Sequence, residues 1–233
     1  MTAALDFSRF RAITFDCYGT LIDWEAGILG AVRPILVAHG AALSDVDVLR
    51  LYGELEAEAE SSHYQPYREI LRDVVRGFGV RLGFHATKQE QHSLCDSLAN
   101  WDPFPDTVAA LRQLKGRFKL GIISNVDDDL FSASARHLEI DFDFITTAGQ
   151  AHAYKPSLEI FGLAQKKMDI QPQQWLHAGQ SIYHDVIPAK SLGVATVWVN
   201  RPSPRPGAGA AKQASAAPDV EVHSLAELAR LVG

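Results

Sequence analysis

The stretch Arg11-Ala12-Ile13-Thr14-Phe15-Asp16-Cys17-Tyr18-Gly19-Thr20-Leu21 decides the reading of this chain. Ala12–Phe15 is a short run of apolar and β-branched residues without the polar alternation of a half-exposed strand. A continuous run of that kind suits a strand buried on both faces of a parallel sheet. It ends in a carboxylate and a glycine turn, at the carboxyl end of the strand, where open parallel sheets bind their ligands. Similar runs recur at Leu120–Ile123, Phe142–Thr146, Trp175–Ala178 and Val194–Val199. Amphipathic stretches separate the later ones. Thr107–Lys115 carries Val108, Leu111 and Leu114 on one stripe, and Ser157–Lys167 carries Ile160, Phe161, Leu163 and Ala164 behind a capping Ser157. Asp185–Leu192 carries Val186, Ala189 and Leu192. Strand and helix alternating in this way predict an α/β fold, a doubly wound, Rossmann-like parallel sheet.

One connection breaks the rhythm. The first strand ends near Asp16 and the next begins at Leu120, whereas a parallel crossover needs only about a dozen residues. The surplus is helical in pattern. Ser44–Asp47 is a cap leading into Val48, Leu51, Tyr52, Leu55 and Ala59 at helical spacing. Tyr67, Ile70, Leu71, Val74, Val75 and Phe78 form a second stripe, which Gly77 and Gly79 are expected to close. Thr87–Glu90 is a capping box ahead of Leu94 and Leu98. The reading is an inserted helical cap domain over residues 22–98, with the core formed by 1–21 and 99–233. Residues 201–218, rich in Pro, Gly, Ala and Ser, read as a mobile surface loop, and Ser224–Glu227 caps a last helix.

Composition sets the outer limits. The 233 residues correspond to about one and a half domains at roughly 150 residues each. A hydrophobic fraction of 47% and a charged fraction of 21% exclude a disordered or collagenous chain. No apolar run reaches the roughly 18 residues needed to span a bilayer, and acidic Asp6 ahead of the first apolar run argues against a signal peptide. The net charge is −6, and the largest basic cluster is Lys115–Lys119, so neither nucleic acid nor membrane is an expected partner. Two cysteines, Cys17 and Cys95, make no disulfide framework, so the expected location is the cytoplasm.

Polar residues gather at the predicted strand ends. Asp16, Tyr18 and Thr20 follow the first strand, Ser124 and Asn125 the second, and Gln180, Ser181, His184 and Asp185 the fourth. Lys155 sits in a Tyr154-Lys155-Pro156 turn that opens a helix. Taken singly, an Asp after a strand is usually a cap and a Lys before a proline is usually solvated. Here four separate segments deliver Asp, Ser/Asn, Lys and Gln/Asp to one rim.

Phe15-Asp16-x-Tyr18-Gly19-Thr20-Leu21, Ile122-Ile123-Ser124-Asn125, Lys155-Pro156 and Gly179-x-Ser181-x-x-x-Asp185 resemble the four motifs of the haloacid dehalogenase superfamily, in order and over essentially the whole chain. The resemblance implies that Asp16 is a nucleophile, Lys155 the cation beside it and Thr20 its orienting donor. Ser124 and Asn125 would hold the anionic group of the substrate, and Asp185 would anchor Lys155 or position water. Magnesium-dependent phosphatases of the superfamily carry a second Asp two residues after the nucleophile and an acidic residue after the glycine of the fourth motif. This chain has Tyr18 and Gln180 there. Tyr at the first position is instead the pattern of the type II 2-haloacid dehalogenases, which need no metal. The implied activity is hydrolysis of a short 2-haloacid to a 2-hydroxy acid through an aspartyl ester, with a small carboxylate as substrate, no cofactor and no metal. Those enzymes receive the halide on a cap arginine, for which Arg50 is the candidate, although a solvated helix-face charge is the plainer reading of that residue.

The chain also departs from that pattern. Gln180 and Ile182 stand where Ser and Asn are expected, and Phe161 where an aromatic hydroxyl is expected. Phe15–Glu25 and Ser181-x-Tyr183-His184-Asp185 are similar to a branch that includes hydrolases opening small cyclic imino acids. There His184 could protonate the leaving nitrogen, or it could simply cap a helix. A phosphatase with an altered site and a non-enzymatic scaffold complete the alternatives, and the resemblance also admits a homodimer. Cys17 and His177 read as packing residues, and Trp24 either closes the pocket or packs the hinge. Lys155 is expected on a polar rim, where its loss would leave folding nearly intact.

Overall fold

The structure is a computed structural model that describes residues 5–61, 63–203, 210–211 and 214–233. Its centre is a parallel sheet of six strands in the order β3-β2-β1-β4-β5-β6. The strands are β1 (Ala12–Phe15), β2 (Lys119–Ser124), β3 (Phe144–Thr147), β4 (Trp175–Gly179), β5 (Ala195–Val199) and β6 (Val220–Val222). All residues of β1 and β4 are buried, as the unbroken apolar runs require of central strands covered on both faces. β1 lies between β2 and β4, with Phe15 level with Ile122 and Ala178. Strand order reverses at β1, so the chain ends after β1, β2 and β4 open into the crevice where ligands bind in such sheets.

After β1 the chain runs through α1 (Trp24–Ala38), α2 (Asp45–Glu60), α3 (Tyr67–Leu82), α4 (Lys88–Gln91) and α5 (Ser93–Ser97) before rejoining the sheet through α6 (Thr107–Lys115). The caps at Ser44 and Thr87 form as the sequence reads, each side-chain oxygen accepting from a backbone N–H three residues on. Gly77 and Gly79 do not end α3. It continues to Leu82 and closes on Gly83, in the left-handed conformation at φ 81°. Their smallness serves packing instead: a Cβ on Gly77 would stand 2.5 Å from Leu55 Cδ2, and one on Gly79 2.6 Å from the Phe84 carbonyl oxygen.

The remaining helices are α7 (Asp128–Ala135), α8 (Ala148–Ala151), α9 (Leu158–Met168), α10 (Ile187–Ser191) and α11 (Leu225–Val232). The stripe expected from Asp185 begins one turn earlier, as a π-helical turn over Ile182–Val186 that leads into α10. β6 has no counterpart in the sequence reading, because three residues after a Pro/Ala/Ser-rich stretch carry no periodicity. Of the loop expected at 201–218, residues 204–209 and 212–213 lie outside the described residues. Ala210 is buried rather than loose: a Cβ on Gly53 of α2 would meet its carbonyl oxygen at 2.1 Å. Among the described residues no helix is long and apolar enough to cross a membrane.

Candidate active site

The ends of β1, β2 and β4 place Asp16, Ser124 and Gln180 around one pocket, and α2 and α3 supply its other wall. Lys155 reaches the same place from the turn before α9. It is not a rim residue. Only 2% of it is exposed, and its Nζ donates to Asp16 Oδ1 (2.7 Å), Asp185 Oδ1 (2.7 Å) and the Ile123 carbonyl (3.1 Å). The expectation that its loss leaves folding intact is corrected accordingly, because the ammonium is the counter-ion of two buried carboxylates.

Each oxygen of Asp16 has a fixed donor. Thr20 Oγ1 donates to Oδ2 at 2.7 Å, and the backbone N–H of Gln180 donates to Thr20 Oγ1 at 2.9 Å, which fixes the hydroxyl. The turn that brings Thr20 back to Asp16 depends on Gly19, at φ 92°, where a Cβ would also stand 2.8 Å from Trp24 Nε1. Burial pushes the Asp16 carboxyl above its ordinary value, against the pull of Lys155 and Thr20. A desolvated carboxylate of raised basicity is a better nucleophile than one in water.

Asp185 is held oppositely. Burial alone would raise it, but Lys155 and His177 keep it well below the carboxylate range. Burial alone would lower Lys155, yet Asp16 and Asp185 hold it above the ordinary ammonium value. Both therefore stay ionised at neutral pH. Asp185 approaches β4 so closely that a Cβ on Gly179 would lie 2.4 Å from its Cγ, so only glycine fits there. Behind it runs a chain of hydrogen bonds. Trp175 Nε1 donates to Thr14 Oγ1 (2.7 Å), Thr14 Oγ1 meets His177 Nδ1 (2.8 Å), and His177 Nε2 meets Asp185 Oδ1 (3.2 Å). An ionised Asp185 can only accept, so His177 donates to it from Nε2. His177 thus does more than pack.

The other residues singled out in the sequence fall into three groups. Ser124 Oγ is buried and has no hydrogen-bond partner among the described residues, which leaves it available to a ligand. Gln180, Ser181 and His184 line the pocket; the Ser181 N–H donates to Asp185 Oδ2 (3.2 Å), and Ser181 Oγ meets His184 Nδ1 (3.1 Å). Asn125 and Tyr18 are committed elsewhere. Asn125 Oδ1 accepts from the Lys155 N–H (2.7 Å), and its Nδ2 donates to the Lys155 carbonyl (3.2 Å) and Glu60 (3.4 Å), so it clamps the Lys155 backbone rather than offering donors to an anion. The Tyr18 ring forms a wall, and its hydroxyl is spent on Ser134 Oγ at 2.9 Å.

Arg50 is not in the pocket. It sits on the outer face of α2, its side chain 58% exposed, paired with Asp47 and Glu54. The reason is helical phase. Tyr52, Glu56 and Glu60, spaced by one turn each, form the inward stripe, and Arg50 is roughly 120° round from Glu56. The inner wall is therefore acidic where a basic residue was expected. Tyr52 and Tyr67 both donate to Glu56 Oε1, at 2.9 and 2.6 Å. Burial pushes Glu56 up despite these two phenols, and burial with Glu56 nearby pushes Glu60 well up. Sequence reasoning missed Glu56, Glu60 and Tyr67. The available signal was a carboxylate at the core phase of an otherwise apolar stripe.

The donors do not suit magnesium. Both oxygens of Asp185 are taken by Lys155, His177 and the Ser181 N–H, and Gln180 supplies an amide where a hard cation prefers a carboxylate. Among the described residues no group of three His, Cys, Asp or Glu side chains is arranged to hold a metal ion.

Residues 10–193 match the family model described as haloacid dehalogenase-like hydrolase. The chain belongs to that family. A curated (S)-2-haloacid dehalogenase of Pseudomonas putida is 26% identical over 228 residues, covering 94% of this chain and 95% of its own. A glyceraldehyde 3-phosphate phosphatase of Methanothermobacter thermautotrophicus is 26% identical over 200 residues, covering 82% of this chain and 85% of its own. Among solved structures, the L-2-haloacid dehalogenase from Xanthobacter autotrophicus with chloropropionic acid covalently bound superposes with a TM-score of 0.80 at 20% identity, covering 96% of this chain and 98% of that one. The six-stranded parallel sheet is thus the fold of this family, and the chain is a haloacid dehalogenase-type hydrolase.

Proposed function

We propose that this hydrolase acts on short 2-haloacids, displacing halide from the carbon beside the carboxylate to give a 2-hydroxy acid, without a metal. The observation that carries the reading is the setting of Asp16. It is a buried carboxylate oriented by Lys155 and Thr20, and it shares a pocket with a buried Ser124 hydroxyl that has no described partner. The substrate carboxylate takes the Ser124 hydroxyl. An Asp16 oxygen attacks the substituted carbon, the carbon–halogen bond breaks, and halide leaves with the bonding pair. Water then attacks the carbonyl carbon of the Asp16 ester, releasing the hydroxy acid and a proton and restoring the carboxylate. Lys155 stabilises the charge that develops on the ester oxygen, and Asp185, held ionised, keeps Lys155 in place. Halide needs no proton to leave, which agrees with a Tyr18 hydroxyl turned away to Ser134. The helical segment 22–98 acts as the cap over this pocket.

A second reading is favoured by one observation. Lys155 is the one Lys or Arg among the described residues lining the pocket, and Glu56 and Glu60 occupy the cap wall. An acidic wall receives a halide poorly and a protonated nitrogen well, which fits ring opening of a small cyclic imino acid by the same aspartyl ester.

A panel of short 2-haloacids, small cyclic imino acids and phosphomonoesters tests both, scoring free halide, primary amine and phosphate with chelator or with magnesium. Halide release that persists in chelator supports the first reading, and amine release without halide supports the second. Phosphate release alone, dependent on magnesium, contradicts both.

A further inference from the structure

α3 begins without a cap of its own. Its N-cap residue is Pro66, which has no polar side chain, so the first N–H groups of the helix need an acceptor from elsewhere. Asp127 supplies it from the loop after β2, 60 residues along the chain. Its Oδ1 accepts from the Tyr67 N–H at 2.9 Å and its Oδ2 from the Arg68 N–H at 3.1 Å. Asp127 is itself the N-cap residue of α7, where an Asp ordinarily accepts from its own helix, yet it makes no such side-chain bond. It is buried, and its carboxylate is spent on α3. The same loop carries Ser124 and Asn125. Two neighbouring contacts join the same places: the hydroxyl of Tyr154, next to Lys155, donates to the Gln65 carbonyl at 2.7 Å, and Arg68 pairs with Asp127 and Asp129. On its other side, Tyr67 donates to Glu56 Oε1 at 2.6 Å, and both residues line the pocket. One carboxylate thus ties the helical wall of the pocket to the loop that carries part of its sheet-end wall.

We propose that Asp127 is a positioning residue for the reaction: by holding the first turn of α3 to the loop after β2, it keeps Tyr67 and Glu56 at a fixed distance from Asp16 and Ser124. This rests on the reading that a short 2-haloacid reacts at Asp16. An aspartate suits the task, because each amide takes one carboxylate oxygen and the negative charge favours the N-terminus of a 16-residue helix. The donors that hold Asp16 are Lys155 and Thr20, not Asp127. Loss of Asp127 therefore loosens the binding wall and leaves the nucleophile held as before, so the effect falls on KM rather than kcat.

The test pairs amide hydrogen exchange, read by NMR on the full chain, with steady-state chloride release from 2-chloropropionate. In Asp127→Ala the Tyr67 and Arg68 amides lose their acceptor and should exchange at least about tenfold faster, while the amides of α7 keep the parent rate. KM should rise about tenfold, the weight of a hydrogen bond to a charged group, with kcat within a few-fold of the parent. Asp127→Asn keeps the size of the side chain and one acceptor oxygen, so it should fall between parent and alanine variant on both readouts. The comparison therefore stands even where the alanine variant fails to fold. Asp129→Ala, which removes only the exposed partner of Arg68, should change neither readout. A merely structural Asp127 would lower stability without moving KM. Unchanged exchange at Tyr67 and Arg68 overturns the proposal, as does an unchanged KM or a fall in kcat alone. A parent that releases no chloride fails the 2-haloacid reading, and the proposal with it; an active parent beside an unmoved variant fails the proposal alone.

Discussion

Lys155→Met removes one ammonium while keeping most of the side-chain volume. The ammonium makes three hydrogen bonds, two of them at 2.7 Å to the carboxylates Asp16 and Asp185. Taking away one partner of a buried ionic group costs about 3–5 kcal/mol, because the remaining charges stay buried and uncompensated. For a chain of this size that lowers the unfolding midpoint by roughly 6–20 °C. The pH dependence should also steepen. In the parent, depressed Asp185 contributes stability that is present above the unfolded carboxylate value and lost as pH falls below it. Raised Lys155 contributes stability that is present below the unfolded lysine value and lost as pH climbs through its raised one. Asp16, raised by burial, works in the opposite sense. Asp185 and Lys155 therefore give no slope near neutrality, whereas Asp16, Glu56 and Glu60, all raised by burial, give the parent a stability that grows as pH falls. In the variant, burial without the ammonium raises both carboxylates. The native state then binds still more protons relative to the unfolded one, and stability rises more steeply as pH falls from 7 towards 5. Urea unfolding followed by circular dichroism at pH 7 and 5.5 measures both effects. A loss under about 1 kcal/mol at pH 7, with the parent's pH slope, would refute the reasoning, since that is the behaviour of an exposed pair.

Two further substitutions test the geometry at smaller scale. Ser124→Ala removes a hydroxyl that bonds to nothing described in the protein, so stability should change little while KM for a carboxylate substrate rises about tenfold, the weight of one hydrogen bond to a charged group; an unchanged KM in steady-state assays would take Ser124 out of substrate binding. Arg50→Ala should leave kcat and KM unchanged, because its partners Asp47 and Glu54 lie with it on the outer face of α2, and a large fall in kcat would show that the pocket wall reorganises to include it.

The sequence carries the core strands clearly because β1, β2, β4 and β5 are buried on both faces and read as unbroken apolar runs. The polar residues at their ends converge for the same reason: parallel strands in one register deliver their carboxyl ends to one edge. What the sequence hides is phase and partnership. Arg50 and Glu56 stand on the same amphipathic helix, and only the packing of α2 decides which of them turns inward. Lys155 reads as a solvated turn residue because its two counter-ions come from segments far along the chain. His177 looks like a core residue and is one, yet its second role is set by Asp185, which the π-helical turn carries back over Gly179. β6 escapes notice because three residues at a sheet edge have too short a pattern to register.

Whether Asp16 itself becomes esterified is decided by a single turnover with excess enzyme in heavy-oxygen water. If Asp16 attacks carbon, the first product takes its oxygen from the side chain and is unlabelled. Water attacking the ester carbonyl then leaves heavy oxygen on Asp16, which mass spectrometry of the peptide containing residues 12–21 detects, and label enters product only in later turnovers. Asp16→Ala should abolish both turnover and labelling. Heavy oxygen in the first-turnover product, with none on Asp16, would make Asp16 a base for direct attack by water and contradict the account.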